Sequence, residues 1–214
     1  MEKFLLGVEA LAFLEREGFK VLETSLAKNE NEAAGAASRI GYPVALKLSS
    51  PDVIHKTETG GIRVSLKNDD EVRRAFNEIV TSFGTNSPQK RLDGVMVQKL
   101  GAGFELIVGT RKDPQFGPVL MFGLGGIFAE AVRDVSFRLI PITAGNARDM
   151  IEELRGYRAL KNPRSGTVDL PSVQDFLLKV SRLMEKHEEI QEMDLNPVFV
   201  NSNNVEICDV RIRI

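Results

Sequence analysis

The sequence predicts an α/β (α+β) protein made of two subdomains. Strand and helix patterns alternate up to about residue 97, and short strands joined by tight turns follow between residues 104 and 140. The chain has 214 residues, and at about 150 residues per domain this length suits one large domain or two small subdomains. We expect a first subdomain over residues 19–97 and a second over residues 98–214 that includes an N-terminal helix over residues 1–18. The cleft between them is the expected ligand site.

Composition excludes several classes of protein. The chain has 28 Lys and Arg residues against 30 Asp and Glu residues, and this balance gives no case for nucleic-acid binding. No apolar run approaches the roughly 18 residues of a membrane span, and no targeting segment is visible. The single cysteine, Cys208, permits no internal disulfide, and one cysteine with two histidines excludes a structural zinc site. We therefore expect a cytoplasmic protein.

The first half of the chain predicts three helices and four strands. Apolar residues recur at helical spacing from Glu2 to Glu17 and Gly18 stops the pattern, which predicts an amphipathic helix. The following patterns predict, in order, a strand at 19–23, a helix at 29–40, strands at 44–48 and 61–66, a helix that Asp69 and Asp70 cap and that ends in the stretch 84–88, and a strand at 95–98.

The second half predicts a mostly antiparallel sheet followed by two helices. Strands are expected at 104–110, 119–122, 127–132 and 137–140, because the turns between them leave little room for helices. Thr143 caps a helix that runs through Glu153, residues 162–167 form a polar loop, and Pro171 starts a longer helix. Two final strands close the chain.

The final strands predict a hairpin with a testable register. The four-residue loop 201–204 suits a hairpin that sets Val200 opposite Val205. On one face this register opposes three polar pairs, namely Glu192 with Arg213, Asp194 with Arg211, and Asn196 with Asp209. The first two pairs are expected salt bridges. The third pair offers only oxygen ligands, which Mg²⁺ prefers together with nucleotide phosphates, so Asn196 and Asp209 are candidate metal ligands. An Asn–Asp hydrogen bond is the alternative.

Two basic residues are candidates for phosphate chemistry. Lys47 projects from its strand among small neighbours and could reach a phosphate as a point charge, or it could be an edge-strand lysine that deters aggregation. His55 lies in a polar loop directly after that strand, and neutral imidazole is a competent nucleophile toward phosphorus. A surface histidine is the alternative. The sequence has neither a P-loop nor a Rossmann glycine pattern, so a nucleotide site must be of another kind.

A second glycine-rich segment lies in the second half. Glu105 and Arg111 share one face of their strand. The turn Gly123–Gly126 could approach phosphate oxygens without side-chain obstruction, and a tight hairpin turn explains it equally well.

Several segments taken together resemble one family, the ATP-grasp β subunit of ADP-forming acetyl-CoA synthetase, which is related to succinyl-CoA synthetase. These segments are residues 41–47 (GYPVALK), 50–61 (SPDVIHKTETGG), 109–118 (GTRKDPQFGP), 123–128 (GLGGIF) and 194–197 (DLNP). The resemblance runs over nearly the whole chain, and the segments occur in the family's order.

The resemblance implies an ATP-grasp fold and a reversible reaction in which acyl-CoA, ADP and phosphate give acid, CoA and ATP. It implies that His55 carries the phosphoryl group as a catalytic phosphohistidine and that Asn196 and Asp209 hold Mg²⁺. The residues that it implies for binding ADP or ATP are Lys47, Gln98, Lys99, Leu100, Glu105, Arg111, Gly125 and Gly126. Lys99 stands where the family often has glutamate beside the base, which leaves selectivity between adenine and guanine open.

The resemblance also implies a partner. The chain has no glycine module for CoA and no second candidate phosphohistidine, so we expect it to work with a CoA-binding α subunit in a hetero-oligomer, with α2β2 as the expected stoichiometry. Two alternatives remain: an ATP-grasp ligase that forms an acyl phosphate directly on its substrate, and a non-catalytic subunit that senses nucleotide.

Overall fold

The computed structural model describes residues 3–53, 60–126, 134–161 and 168–214. The chain divides into two compact units, which we call the small unit (Leu22–Leu100) and the large unit (Met1–Val21 with Gly101–Ile214). Each unit is an antiparallel sheet with helices, so the predicted α/β (α+β) class is confirmed. No helix within the described ranges is long and apolar enough to cross a membrane.

The small unit is a four-stranded sheet in the order β2-β5-β3-β4 with two helices. Its elements are β2 (Thr24–Ala27), α2 (Glu30–Ile40), β3 (Val44–Ser49), β4 (Ile62–Leu66), α3 (Asp69–Asn86) and β5 (Gly94–Lys99). Asn29 caps α2 by accepting from two backbone N–H groups of the first turn. Asn68 caps α3, whereas the sequence pointed to Asp69 and Asp70, because an amide at that position reaches the Glu71 N–H.

The strand expected at residues 19–23 is wrong. Its backbone makes only one bridge, between Val21 and Ile207, and the first strand of the small unit begins at Thr24. Phe19 lies edge-on to Phe176, with the ring centroids 5.5 Å apart. The apolar residues of this run therefore serve as core anchors on a connecting segment, not as one face of a strand.

The large unit is a seven-stranded sheet in the order β1-β11-β9-β6-β7-β8, with β10 paired to β9. Its strands are β1 (Phe4–Leu6), β6 (Phe104–Asp113), β7 (Gly117–Leu124), β8 (Val135–Leu139), β9 (Glu192–Val200), β10 (Val205–Ile207) and β11 (Val210–Arg213). Its helices are α1 (Gly7–Arg16), α4 (Ala144–Glu152), α5 (Tyr157–Lys161) and α6 (Leu170–Lys186).

The first predicted helix begins later than expected. Phe4 to Leu6 form strand β1, and the ladder to β11 satisfies backbone groups that a helix would otherwise use. Leu5 lies opposite Ile212 and both are buried. Sheet pairing with the far end of the chain therefore overrides the local helical spacing.

The remaining predictions for the large unit have mixed outcomes. Thr143 caps α4 in a capping box, as predicted, and α6 begins beside Pro171. The sequence reading missed the short helix α5. The strand predicted at 127–132 and the loop predicted at 162–167 lie outside the described residues.

The helices of the large unit cover one face of its sheet. Side chains at alternate strand positions enter a core with α1, α4 and α6, among them Val108, Phe122 and Leu195. The intervening positions point to the other side, which we call the open face. The open face carries Gly109, Arg111, Val119, Met121, Phe137, Glu192, Asp194, Arg211 and Arg213. Its polar side chains make it the natural surface for chemistry.

Candidate active site on the open face

The C-terminal strands have the predicted register throughout. Val205 lies opposite Val200, and the same register continues to the pairs between β11 and β9. At the predicted metal pair, the Asn196 N–H donates to the Asp209 carbonyl at 3.1 Å. The second strand of the hairpin is divided into β10 and β11, because Asp209 turns its carboxylate back to its neighbour, the N–H of Val210, at 3.0 Å.

Strand β9 contains a bulge at this point. On β6, Leu106 and Val108 are two residues apart, but their partners on β9, Val198 and Leu195, are three residues apart. The extra residue of β9 therefore lies within the segment Asn196–Pro197. Bulges beside active sites re-aim a side chain, and here Asn196 is exposed between buried Leu195 and half-buried Pro197.

One of the two predicted salt bridges is present. Arg213 pairs with Glu192 at 3.2 Å. The Arg211 guanidinium lies 4.7 Å from the centroid of the Phe4 ring, and within the described part of the chain no ion pair joins it to Asp194. A cation over an aromatic face on the neighbouring strand competes with the ion pair, so Asp194 keeps only a longer-range attraction to Arg211.

Asp194 is the functional candidate that the sequence reading missed. Burial raises the pKa of its carboxyl group, the Asp209 charge raises it further, and the Arg211 charge offsets part of the change. The side chain is open to water yet lies in the wall of a pocket, which explains why protein atoms still desolvate it. The sequence did contain a signal for Asp194. It lies two residues before Asn196 on a predicted strand, and alternate residues of a strand share one face.

The pocket lies entirely within the open face and has a volume of about 270 Å³. One wall is apolar and consists of Val119, Met121 and Phe137. The other wall is charged and consists of Arg111, Glu192, Asp194, Arg211 and Arg213. Arg111 is exposed and makes no ion pair with any residue that the structure describes. The pocket therefore offers an anion one unpaired guanidinium near a carboxylate.

The predicted glycine turn packs on Glu105. The Gly125 N–H donates to the Glu105 carbonyl at 2.8 Å. A Cβ on Gly125 would lie 3.0 Å from the Glu105 backbone, and Gly126 has φ of +60° with the Glu105 carboxylate 3.2 Å from its would-be Cβ. The structure thus brings three predicted residues together, and glycine is favoured at 125 by the close approach of the Glu105 backbone and at 126 by the positive φ.

In the small unit, Lys47 and Gln98 share a face of the sheet. Ala45 pairs with Gln98 and Lys47 pairs with Met96, so both side chains lie on the face away from α2 and α3. Lys47 is 8% exposed and Gln98 1%. Strand β3 has neighbours on both sides, so the edge-strand explanation for Lys47 is wrong.

The end of β5 has both buried and exposed groups. The Gln98 side-chain amide donates to the Thr24 hydroxyl at 2.9 Å, and the Lys99 N–H donates to the Glu23 carbonyl at 2.9 Å. The Lys99 side chain is exposed and Leu100 is half-buried. The strand end is therefore held by the segment before β2.

His55 lies outside the described residues, which stop at Val53 and resume at Gly60. The segments on both sides of it are fixed. The Asp52 carboxylate accepts from the Arg91 N–H at 2.7 Å, and Arg63 donates to the Gly60 carbonyl at 2.8 Å. Both ends of the histidine loop are thus attached to the small unit.

The family model for the ATP-grasp domain matches residues 1–214. The chain belongs to the ATP-grasp family. It is 41% identical over 210 residues to the β subunit of acetate–CoA ligase (ADP-forming) I of Pyrococcus furiosus, which covers 97% of this chain and 90% of that subunit. The predicted resemblance to β subunits of ADP-forming acetyl-CoA synthetases is therefore confirmed.

Other relatives of this ATP-grasp chain are longer. The acetate–CoA ligase (ADP-forming) I of Archaeoglobus fulgidus is 43% identical over 210 residues, and the match spans 97% of this chain but 30% of that protein. A solved structure of the dinucleotide-forming acetyl-CoA synthetase 1 of Candidatus Korarchaeum cryptofilum, in complex with coenzyme A and Ca-AMPCP, superposes with a TM-score of 0.93 at 43% identity. That match covers 98% of this chain and 93% of the other.

The oxygen groups of this ATP-grasp chain fit a magnesium ion. Asn196 and Asp209 present oxygen ligands. Burial is the main reason that the pKa of Asp194 is raised, and the Asp209 charge adds to it, so a cation here would offset repulsion between the two carboxylates. Among the described residues there is no group of three or more His, Cys, Asp or Glu side chains that could hold a metal alone. Mg²⁺ commonly completes its shell with water and nucleotide phosphates.

Proposed function

We propose that this chain is the nucleotide-binding β subunit of an ADP-forming acyl-CoA synthetase of the acetyl-CoA type. One observation carries the proposal: the bulged strand β9 sets Asn196 opposite Asp209 and beside Asp194, in a chain that matches a β subunit over 90% of that subunit's length. The reaction converts acyl-CoA, ADP and phosphate to acid, CoA and ATP, and it is reversible.

Candidate groups for binding ADP or ATP occur in each unit and are assigned for each unit by itself. In the small unit, the Lys47 ammonium contacts a phosphate, and the end of β5 at Gln98, Lys99 and Leu100 recognises the base. In the large unit, the backbone of Gly125 and Gly126 lies along the phosphates, with Glu105 holding the turn. Arg111 is the candidate contact for a phosphate oxygen, because it lies in the wall of the pocket with Asp194.

Asn196 and Asp209 would hold Mg²⁺. When bound, this ion would neutralise charge on the phosphates. The Asp209 charge contributes to the raised pKa of Asp194, and a bound ion would offset that contribution.

His55 carries the phosphoryl group between two sites. Its phosphorus–nitrogen bond breaks as a terminal phosphate oxygen of ADP forms the new phosphorus–oxygen bond, and the nitrogen keeps the electron pair. A solved structure of the Korarchaeum enzyme with Mg-AMPPCP has its phosphohistidine segment pointing towards the nucleotide site. That observation supports a histidine carrier in this chain.

The chain works with a CoA-binding α subunit in the cytoplasm, in an α2β2 assembly. The name of the Pyrococcus relative, a subunit beta, supports a partner, and so do relatives whose single chain is much longer than this one. CoA chemistry and acyl selection then belong to the partner.

The two histidines of the chain provide a matched test of the carrier. With labelled ATP and Mg²⁺, the wild-type chain should acquire acid-labile, alkali-stable phosphate, and His55→Ala should lose this label while its ADP affinity in calorimetry stays the same. His187→Gln is the control, because the two ring nitrogens of His187 lie 3.1 and 3.0 Å from the carboxylates of Glu17 and Glu189. Label retained in His55→Ala would contradict the carrier role.

Labelling together with turnover in the presence of the partner separates the alternatives. A wild-type chain that binds nucleotide, takes up no label and is required for turnover indicates direct acyl phosphate formation. A wild-type chain that binds nucleotide, takes up no label and only modulates a partner that is active without it indicates a sensing subunit.

A further inference from the structure

The large unit contains a buried carboxylate that the proposed function does not use. Among the described residues, Asp134 is the only buried carboxylate, and it is 8% exposed. It lies directly before strand β8. Burying a charged group costs free energy unless hydrogen bonds replace the lost water. The contacts of Asp134 must therefore explain why a carboxylate stands there.

Both carboxylate oxygens of Asp134 accept hydrogen bonds from the backbone. The Arg155 N–H donates to Oδ1 at 2.9 Å, and the Gly156 N–H donates to Oδ2 at 2.7 Å. Hydrogen bonds to a charged acceptor are shorter and stronger than those between neutral groups. The carboxylate therefore fixes the segment Arg155–Gly156 to the start of β8.

This contact lies against the glycine turn, Gly123–Gly126. The Leu124 N–H donates to the Asp134 carbonyl at 3.4 Å. A Cβ on Gly156 would lie 2.2 Å from Leu124 Cδ1, and a Cβ on Gly123 would lie 2.8 Å from the Asp134 carbonyl oxygen. Leu124 itself is buried. It is thus enclosed between Asp134 and Gly156, with no space for an added methyl group on either glycine.

The glycine turn is held from two sides. On one side, the Gly125 N–H donates to the Glu105 carbonyl at 2.8 Å. On the other side, Leu124 donates to Asp134 and packs on Gly156. Peptide groups stabilise phosphate charge best when their direction is fixed before the ligand arrives. Because Leu124 directly precedes Gly125, a shift of Leu124 would change the direction of the turn.

We propose that Asp134 is a positioning residue for the nucleotide phosphates. Its carboxylate holds Arg155 and Gly156 against Leu124, and this contact fixes the backbone of the glycine turn. The inference rests on the proposed function, which assigns Gly125 and Gly126 to the phosphates of ADP. Asp134 acts through the turn and does not itself touch the nucleotide.

Asp134→Asn tests the positioning role through ligand selectivity. The variant keeps the size of the side chain but turns an amide N–H toward a backbone N–H. In calorimetry with Mg²⁺, affinity should fall by about tenfold or more for ADP and by less than about threefold for AMP, because AMP has one phosphate fewer along the turn. A carboxylate that acted only through its charge would repel phosphate, and its removal would raise the affinity for ADP.

Gly156→Ala is a second variant that changes no charge. Its new Cβ would collide with Leu124, so it should cause the same selective loss of ADP affinity. Two control variants should keep ADP affinity within about twofold of the wild type. Ser136→Ala removes a buried hydrogen bond to the Met150 carbonyl on the same strand and should lower stability only. Asp169→Asn makes the same chemical change in the carboxylate that caps α6.

Hydrogen exchange measures the anchoring without any nucleotide. The amide hydrogens of Leu124 and Gly125 should exchange faster in Asp134→Asn and Gly156→Ala than in the wild type, and Asp169→Asn should leave them unchanged. If Asp134→Asn does not fold, Gly156→Ala decides both measurements.

The inference is overturned if Asp134→Asn keeps or gains ADP affinity, if ADP and AMP lose affinity equally, or if Ser136→Ala shows the same selective loss. Faster exchange with unaltered ADP binding would leave Asp134 a structural role only and would also overturn it. A wild-type chain that binds neither nucleotide would contradict the proposed function, and the inference would fall with it. The two failures are distinct because only the second concerns the wild type.

Discussion

The two sheets of the molecule place their polar residues in opposite ways. In β9 of the large sheet, buried and accessible residues alternate over most of the strand, because helices cover one face only. In β3 and β5 of the small sheet, every residue except the last is buried. Polar residues are therefore expected on the open face. Asp194 and Asn196 become candidate site residues only because they lie close together there. In the small sheet a polar residue is itself the exception, and Lys47 and Gln98 stand out for that reason.

The largest expected effect separates two neighbouring residues of β9. Leu195→Ala should lower the free energy of unfolding by about 2–5 kcal/mol, because it leaves a cavity in the core. Asn196→Ala should change it by less than about 1 kcal/mol, because the side chain is exposed. Denaturant unfolding measures both free energies. In calorimetry with ADP and Mg²⁺, Asn196→Ala should lose more affinity for ADP than Leu195→Ala. Equal stability losses would contradict the one-sided arrangement of this sheet.

A smaller effect is expected in the small sheet. Lys47→Met keeps the length of a buried side chain but removes its charge, so ADP affinity should fall by about tenfold or more. Denaturant unfolding of the same variant checks that the folded state is retained. Lys90→Met, at an exposed lysine of the same unit, is the control. Undiminished affinity in Lys47→Met would remove this lysine from the nucleotide site.

The smallest effect concerns an ion pair at the rim of the large sheet. Arg138 bonds both carboxylate oxygens of Glu153 at 2.8 and 2.7 Å, which lowers the pKa of Glu153 from its ordinary value of 4.5. A lowered folded pKa gives stability that is present above the unfolded pKa and is lost as the pH falls through the folded pKa. The pair is partly exposed, so the contribution is at most about 1 kcal/mol.

Glu153→Gln tests this contribution. The variant should be slightly less stable than the wild type at neutral pH, and the difference should vanish in acid below the folded pKa. Thermal unfolding across this pH range measures the difference. Glu152→Gln, at an exposed neighbour, should show no such dependence. A stability difference that grows in acid would contradict the predicted sign of the ion pair's contribution to stability.

Sequence predictions succeeded where a local rule decides the structure. The hairpin register followed from one loop length and the chemistry of opposed pairs, and the structure has it from Val200 to Glu192. A helix start followed from the capping residue Thr143, whereas the cap predicted at Asp69 and Asp70 lies at Asn68. The failures at Phe4 and at residues 19–23 have one cause: distant strands and core contacts compete with local periodicity there, and spacing alone does not report them.

By itself, the sequence determined the fold class, the hairpin register and the set of residues that resembles one family, because periodicity, turn chemistry and residue type are local properties. Only the tertiary structure decided that Asp194 has a raised pKa, that the bulge in β9 exposes Asn196, and that Glu105 supports Gly125. These features arise from residues far apart in the chain. Desolvation and close contact depend on what lies nearby in space, so the folded chain must be known before they can be seen.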